Sequence, residues 1–122
     1  MFDKKKGFKI IYKVITTEQI NLLKDVIVET MQPKKIYLFG SYADGTANEN
    51  SDLDILIEIE NTELRSAHRS VDVNMKLGEY DSLHFPKDIF VYTTPEVQKF
   101  SANKYSFLSS ILKSSKMIYE YR

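Results

Sequence analysis

Asp52 and Asp54, at the head of the apolar run Leu53–Ile59 (LDILIEI), carry the strongest chemical signal in this sequence. Residues two apart on a β-strand point to one face, so the two carboxylates would project side by side while Leu53, Ile55, Ile57 and Ile59 point the other way into a core. Bare carboxylates at that separation repel, and the usual reasons to keep such a pair are a divalent cation or a shared proton. The plainer account is ordinary turn chemistry, with Ser51 and Asp52 solvated at a strand mouth, and the spacing alone favours it. Upstream, Gly40-Ser41 closes another apolar run. A glycine there lets a phosphate approach the backbone without a Cβ in the way, and a serine hydroxyl adds a donor. Taken singly, this pair also reads better as a plain strand-to-helix turn with Ser41 as N-cap. The joint occurrence matters more: Gly40-Ser41, then residues 42–51, then Asp52-Leu53-Asp54.

These residues need elements to hold them. Lys35–Gly40 (KIYLFG), Leu53–Ile59 and Lys87–Thr93 (KDIFVYT) are short, rich in β-formers and bounded by turn residues, which predicts strands. Before them, Thr16 with Gln19 three residues on forms a capping-box pattern, and Ile20, Leu23, Ile27 and Met31 recur at helical spacing until Pro33. A second helix is predicted from about Thr62 to Leu77 with Gly78 as its stop. After Pro95 come a short helix and then a longer one carrying Phe107, Ile111 and Ile118, with Leu108 and Leu112 beside them. The order helix, strand, strand, helix, strand, helices predicts an α/β fold, a small mixed β-sheet with helices packed mainly on one face.

Composition narrows the function. At 122 residues and 43% hydrophobic content, residues 1–122 are expected to make one domain without a separate substrate domain. Seventeen Lys and Arg cancel seventeen Asp and Glu, so the broad positive field of a protein that grips long nucleic acid is missing, while a small anionic ligand stays open. With no cysteine, disulfides and thiolate metal sites drop out. In MFDKKKGFKIIYKVIT, Lys9 and Lys13 interrupt the apolar stretch, so neither a secretory leader nor a membrane span fits, and the chain reads as cytoplasmic. His68 and His84 stand in no ligand pattern with the aspartates and read as surface residues. An EF-hand also fails: glycine follows Asp44 at once instead of at the sixth position, and Ile55 stands where the closing Glu belongs.

The stretch GSYADGTANENSDLDI resembles the signature of the DNA polymerase β type nucleotidyltransferase superfamily, and the short chain is similar to its minimal nucleotidyltransferase (MNT) branch, the antitoxin partners of HEPN-domain toxins. The resemblance runs from Lys35 to Arg122. It takes in Asp88, in PKDIFVYTTPE, at the place of a third acidic residue on a following strand, with Asp81 as the fallback, and the closing SKMIYEYR. It implies transfer of a nucleoside monophosphate, AMP from ATP. Asp52 and Asp54 would hold two Mg²⁺ ions, Asp88 would complete the second ion's site and orient or deprotonate the attacking hydroxyl, and Gly40 and Ser41 would cradle the β and γ phosphates. Such an in-line displacement needs charge neutralised on attacking and leaving oxygens and no nucleophilic side chain.

One departure stands out, since many relatives carry basic residues just after the Gly-Ser pair where this chain has Tyr42 and Asp44. Arg65, Arg69 or Lys76 on the following helix could supply the charge, although a charged helix face is more often simply solvated. Little chain remains for a second-substrate pocket, so the expected acceptor is a hydroxyl, a tyrosine, on a HEPN-type toxin. Phe107, Ile111, Tyr119 and Tyr121 are candidate interface anchors, though burial in the core is the commoner fate of such residues. A homodimer or a hetero-oligomer would fit. Two other readings remain: an antitoxin that neutralises its partner by binding alone, and an aminoglycoside-type adenylyltransferase, whose relatives carry an additional domain.

Overall fold

The structure, a computed structural model, describes residues 2–3, 8–9 and 14–122. In chain order its elements are β1 (Phe2–Asp3), β2 (Phe8–Lys9), α1 (Thr17–Met31), β3 (Lys35–Phe39), α2 (Ser41–Asp44), β4 (Leu53–Ile59), α3 (Val71–Leu77), β5 (Lys87–Thr93), α4 (Thr94–Ser101), α5 (Phe107–Ser114) and β6 (Lys116–Glu120). β1 and β2 pair antiparallel. The reading of the segment before Val14 as neither leader nor span rests on residues that lie mostly outside the described ones. Among the described residues no helix is long and apolar enough to cross a membrane.

The main sheet has the order β5-β4-β3-β6, with β4 parallel to β5 and antiparallel to β3. β4 is central because its sequence can be buried on both faces: six of its seven residues are buried, Glu58 among them, and Asp54 alone is only partly covered. Leu53, Ile55, Ile57 and Ile59 point to one face, where Leu23 and Ile27 of α1 and Val73 and Leu77 of α3 complete the larger core. Leu56 points to the other, where Phe39, Leu108 and Ile111 form a smaller cluster under α4 and α5. The fold is thus α/β with a mixed sheet, its helices mainly on one face and a thinner second layer opposite.

Helix α1 starts as its capping box dictates, Thr16 accepting from the Gln19 N–H and Gln19 from the Thr16 N–H. It ends at Gln32, in the left-handed region at φ 50°, just before Pro33. All three predicted strands form at their expected positions.

Two expectations need correction. The helix expected from about Thr62 is present only as a 3-10 turn, Ser66–His68, followed by α3. Local bonds compete with helix in its first half: the Thr62 hydroxyl accepts from the Leu64 N–H, and the Arg69 guanidinium donates to the Leu64 carbonyl. Gly78 is the C-cap of α3, as expected. The final helix is eight residues long, no longer than α4, and Ile118 lies beyond it on β6. Ser115 turns the chain to extended backbone, and Lys116–Glu120 takes the vacant edge of β3, where ladder hydrogen bonds outweigh the helical spacing.

Candidate active site

At the end of β3 the backbone turns sharply through Gly40, at φ +69°, a left-handed conformation that a side chain strains. A Cβ placed there would lie 2.5 Å from Asp54 Oδ2, so the Asp54 carboxylate occupies the space a larger residue would need. Gly40, not Ser41, is the N-cap position of the single turn α2, which Gly45 closes at φ +83°. The residues after the Gly-Ser pair have structural work. Tyr42 packs against the larger core, and its phenol oxygen accepts from the Ile15 N–H at 3.0 Å, tying α2 to the approach to α1. Asp44 turns to its own loop, accepting from the Thr46 N–H at 3.0 Å and from the Thr46 hydroxyl, and those bonds hold its carboxyl below the usual carboxylate range.

The parallel ladder sets the carboxylates. Asp54 and Asp88 are Cα partners across β4 and β5, and Phe39 is the partner of Asp54 on the other side. Alternation orients them: Val91 of β5 lies in the larger core and Phe90 packs on the smaller cluster, so Asp88 and Asp54 share the face of Phe39, Phe90 and Leu56. Asp52, one residue before β4, is exposed, as is Asp88, while Asp54 is half-buried. Burial first, then the Asp88 carboxylate and then that of Asp52, push the Asp54 carboxyl up. Asp54 therefore feels the charge of both other acids, and none of the three forms an ion pair among the described residues. Beside them, Phe39, Phe90 and Phe107 form an aromatic trio with ring centroids 5.7 to 6.4 Å apart, and Phe107 is 53% exposed.

Among the described residues no three His, Cys, Asp or Glu side chains are disposed as a ready ligand set for a metal ion. Mg²⁺ needs no such set, since one or two carboxylates commonly hold it while water and substrate phosphates complete its shell. The donors here are hard oxygens, their mutual repulsion would be relieved by a cation, and the glycine cradle opens beside them. The residues fit the ion.

Other candidates fall away. Arg69 is 10% exposed and pairs in bidentate fashion with Glu96, at 2.6 and 3.2 Å, while also donating to the Val91 carbonyl. Lys76 pairs with Glu79 at 2.9 Å, and Arg65 is exposed without an ion pair among the described residues. Asp81 lies on a separate 3-10 turn, outside the Asp54–Asp88 register. His68 and His84 are exposed, as expected, with His84 Nε2 2.7 Å from the Gly78 carbonyl. Lys116, opposite Leu38 at the start of β6, lines a cleft of about 410 Å³ with Ser41 on the α1 side of the sheet, away from the face of Asp54 and Asp88.

The family model of Polymerase beta, Nucleotidyltransferase matches residues 21–122. No curated protein matches the sequence. Among solved structures, the chain is similar to a toxin-antitoxin crystallised with AMP-PNP, at 24% identity and a TM-score of 0.56, over 84% of this chain and 73% of that one. It is also similar to a mutant of the toxin-antitoxin MntA-HpeT, at 20% identity and a TM-score of 0.57, over 84% of this chain and 73% of that one. At these identities the likeness is one of fold.

Proposed function

The chain belongs to the Polymerase beta, Nucleotidyltransferase family, and from that premise we propose that it transfers AMP from ATP, with Mg²⁺, to a tyrosine hydroxyl of a HEPN-type toxin and so acts as its antitoxin. The observation that carries this reading is the placement of Asp54, in register with Asp88 and seated in the space that Gly40 leaves open. The toxin-antitoxin character of two of the similar solved structures, one of them with AMP-PNP, supports the choice of partner and nucleotide.

In this reading Gly40 and Ser41 receive the β and γ phosphates, and Asp52, Asp54 and Asp88 hold the cations. Bound Mg²⁺ would neutralise charge on the attacking and leaving oxygens. The acceptor oxygen forms a bond to the α-phosphorus, the bond from that phosphorus to the bridging oxygen breaks, and pyrophosphate leaves. Asp88, exposed at the start of β5, takes the hydroxyl proton. Asp52 and Asp88 are exposed, and the cleft of about 520 Å³ lined by Arg69, Phe90, Tyr92 and Phe100 does not include the carboxylates. An acceptor carried on another protein suits an open site.

The test is to incubate the chain with ATP labelled at the α-phosphate, Mg²⁺ and its co-expressed neighbour, and then to look for adenylylated tyrosine by mass spectrometry. The adduct should appear on the partner and vanish with Asp52→Asn. An unmodified partner that wild type and Asp52→Asn silence equally would instead establish neutralisation by binding alone.

A further inference from the structure

We infer that the exposed ring of Phe107 is the platform on which the base of the bound nucleotide stacks, an assignment that rests on the nucleotidyltransferase reading above and deepens it. Register fixes where that ring stands. Phe39, Asp54 and Asp88 are Cα partners in one row across β3, β4 and β5, and Tyr37, Leu56 and Phe90 make a second row, two residues away on each strand. Both rows share one face, since residues two apart on a strand point the same way. Phe107, the first residue of α5, has its ring centroid 6.4 Å from that of Phe39 and 5.7 Å from that of Phe90. Those two supports stand on the strands either side of β4, one in the carboxylate row and one in the second, which sets the ring of Phe107 over β4 beside the carboxylates.

The ring is open where its helix is otherwise closed. Leu108 and Ile111 of α5 are buried in the cluster of Phe39 and Leu56, whereas Phe107 is 53% exposed although Phe39 and Phe90 hold it. An aromatic ring fixed by its neighbours offers a flat ligand a large apolar surface at little cost in side-chain freedom. The phosphate end of the site is close at hand, because Gly40 and Ser41 follow Phe39 directly in the chain. A nucleotide with its phosphates at Gly40-Ser41 and its cation at Asp54 therefore meets an aromatic surface along the same face. Stacking of a base on such a ring needs no enclosed pocket, which suits a rim where Asp52 and Asp88 are exposed.

Titration calorimetry with Mg²⁺ and ATP, and separately with Mg²⁺ and tripolyphosphate, which lacks base and ribose, would compare wild type, Phe107→Ala, Phe107→Leu and Phe107→Trp, with melting curves showing that each variant is folded. ATP binding should weaken by about tenfold in Phe107→Ala, the size of a lost base stack. It should stay weakened in Phe107→Leu, which keeps an apolar contact to Phe39 and Phe90 without the aromatic face. Tripolyphosphate binding should be unchanged in both, and Phe107→Trp should retain the affinity for ATP. The chain has no tryptophan, so the indole of Phe107→Trp reports alone, and ATP should quench its fluorescence where tripolyphosphate does not. Equal ATP affinity in wild type and Phe107→Ala, with Asp54→Asn still abolishing binding, would overturn the assignment and leave the site standing. If Phe107→Ala kept ATP but no longer captured the co-expressed neighbour, the ring would be a protein anchor instead. An equal loss for ATP and tripolyphosphate would overturn the assignment as well, since the effect would not lie at the base. No ATP binding by wild type would overturn the nucleotidyltransferase reading, and this inference with it.

Discussion

Gly40 answers to two constraints at once, a left-handed backbone and a carboxylate where its Cβ would be. Gly40→Ala should therefore cost about 1–2 kcal/mol from the backbone alone, read as a lower denaturation midpoint, and should also displace Asp54. Asp54 itself is a residue kept against its own stability. Its folded carboxyl is raised above the unfolded value by burial and by Asp88 and Asp52, so folding loses stability as pH rises through that raised range and regains it below the unfolded value. Asp54→Asn should accordingly stabilise the metal-free protein at neutral pH, by about 1 kcal/mol or less for so open a site. The advantage should fade as pH falls below about 4. A pH series of urea melts on both proteins checks the sign, and a variant destabilised at pH 7 would mark Asp54 as structural. At this scale the aspartate pair was legible because period-two alternation needs only local sequence. The role of Arg69 was not, because its partner Glu96 is joined to it only by tertiary folding.

Strands β3, β4 and β5 were legible almost to the residue, since each is an apolar run closed by turn residues and β4 has polar neighbours at both ends. The segment from Thr62 and the final strand β6 were not, and for one reason. In both, hydrogen bonds to distant or non-helical partners decide the outcome, and periodicity does not report them. Arg69 illustrates the cost of such a tie. Its guanidinium braces the Thr62–Ser70 segment, the β5 edge at Val91 and the start of α4 at Glu96. Arg69→Ala should destabilise the fold by about 2–3 kcal/mol, as an almost buried, multiply bonded charge is removed. Nucleotide affinity of the folded fraction should stay within about twofold, whereas a loss of about tenfold or more, the size of a lost charge-assisted hydrogen bond, would return Arg69 to the phosphate site. Hydrogen bonds from Arg69, above all, hold the Glu96 carboxyl below its usual range, so the pair's contribution is present above the unfolded carboxyl value and lost as pH falls through the folded one. The gap between wild type and Arg69→Ala should narrow in acid.

Across the whole molecule, the sheet divides the labour. Its larger core fixes the register of β4, and its other face brings Asp54 and Asp88 to an open rim beside the exposed ring of Phe107. The apolar residues named as interface anchors split accordingly: Ile111 is buried and Tyr119 packs on the core, while Phe107 and Tyr121 are 53% and 72% exposed. No sequence pattern separates those fates, which depend on what lies across the sheet. Whether this rim binds a metal-nucleotide complex through its aspartates can be read from the melting temperature with AMP-PNP, with and without Mg²⁺, for wild type and Asp54→Asn. Ligand at a hundred times its dissociation constant stabilises the folded state by about 2.7 kcal/mol, a rise of roughly 5–15 °C for a domain of this size. That rise should appear only when wild type, nucleotide and Mg²⁺ are all present, and an unmoved melting temperature at millimolar ligand, or the same rise in Asp54→Asn, would show that the aspartate rim binds no metal-nucleotide complex.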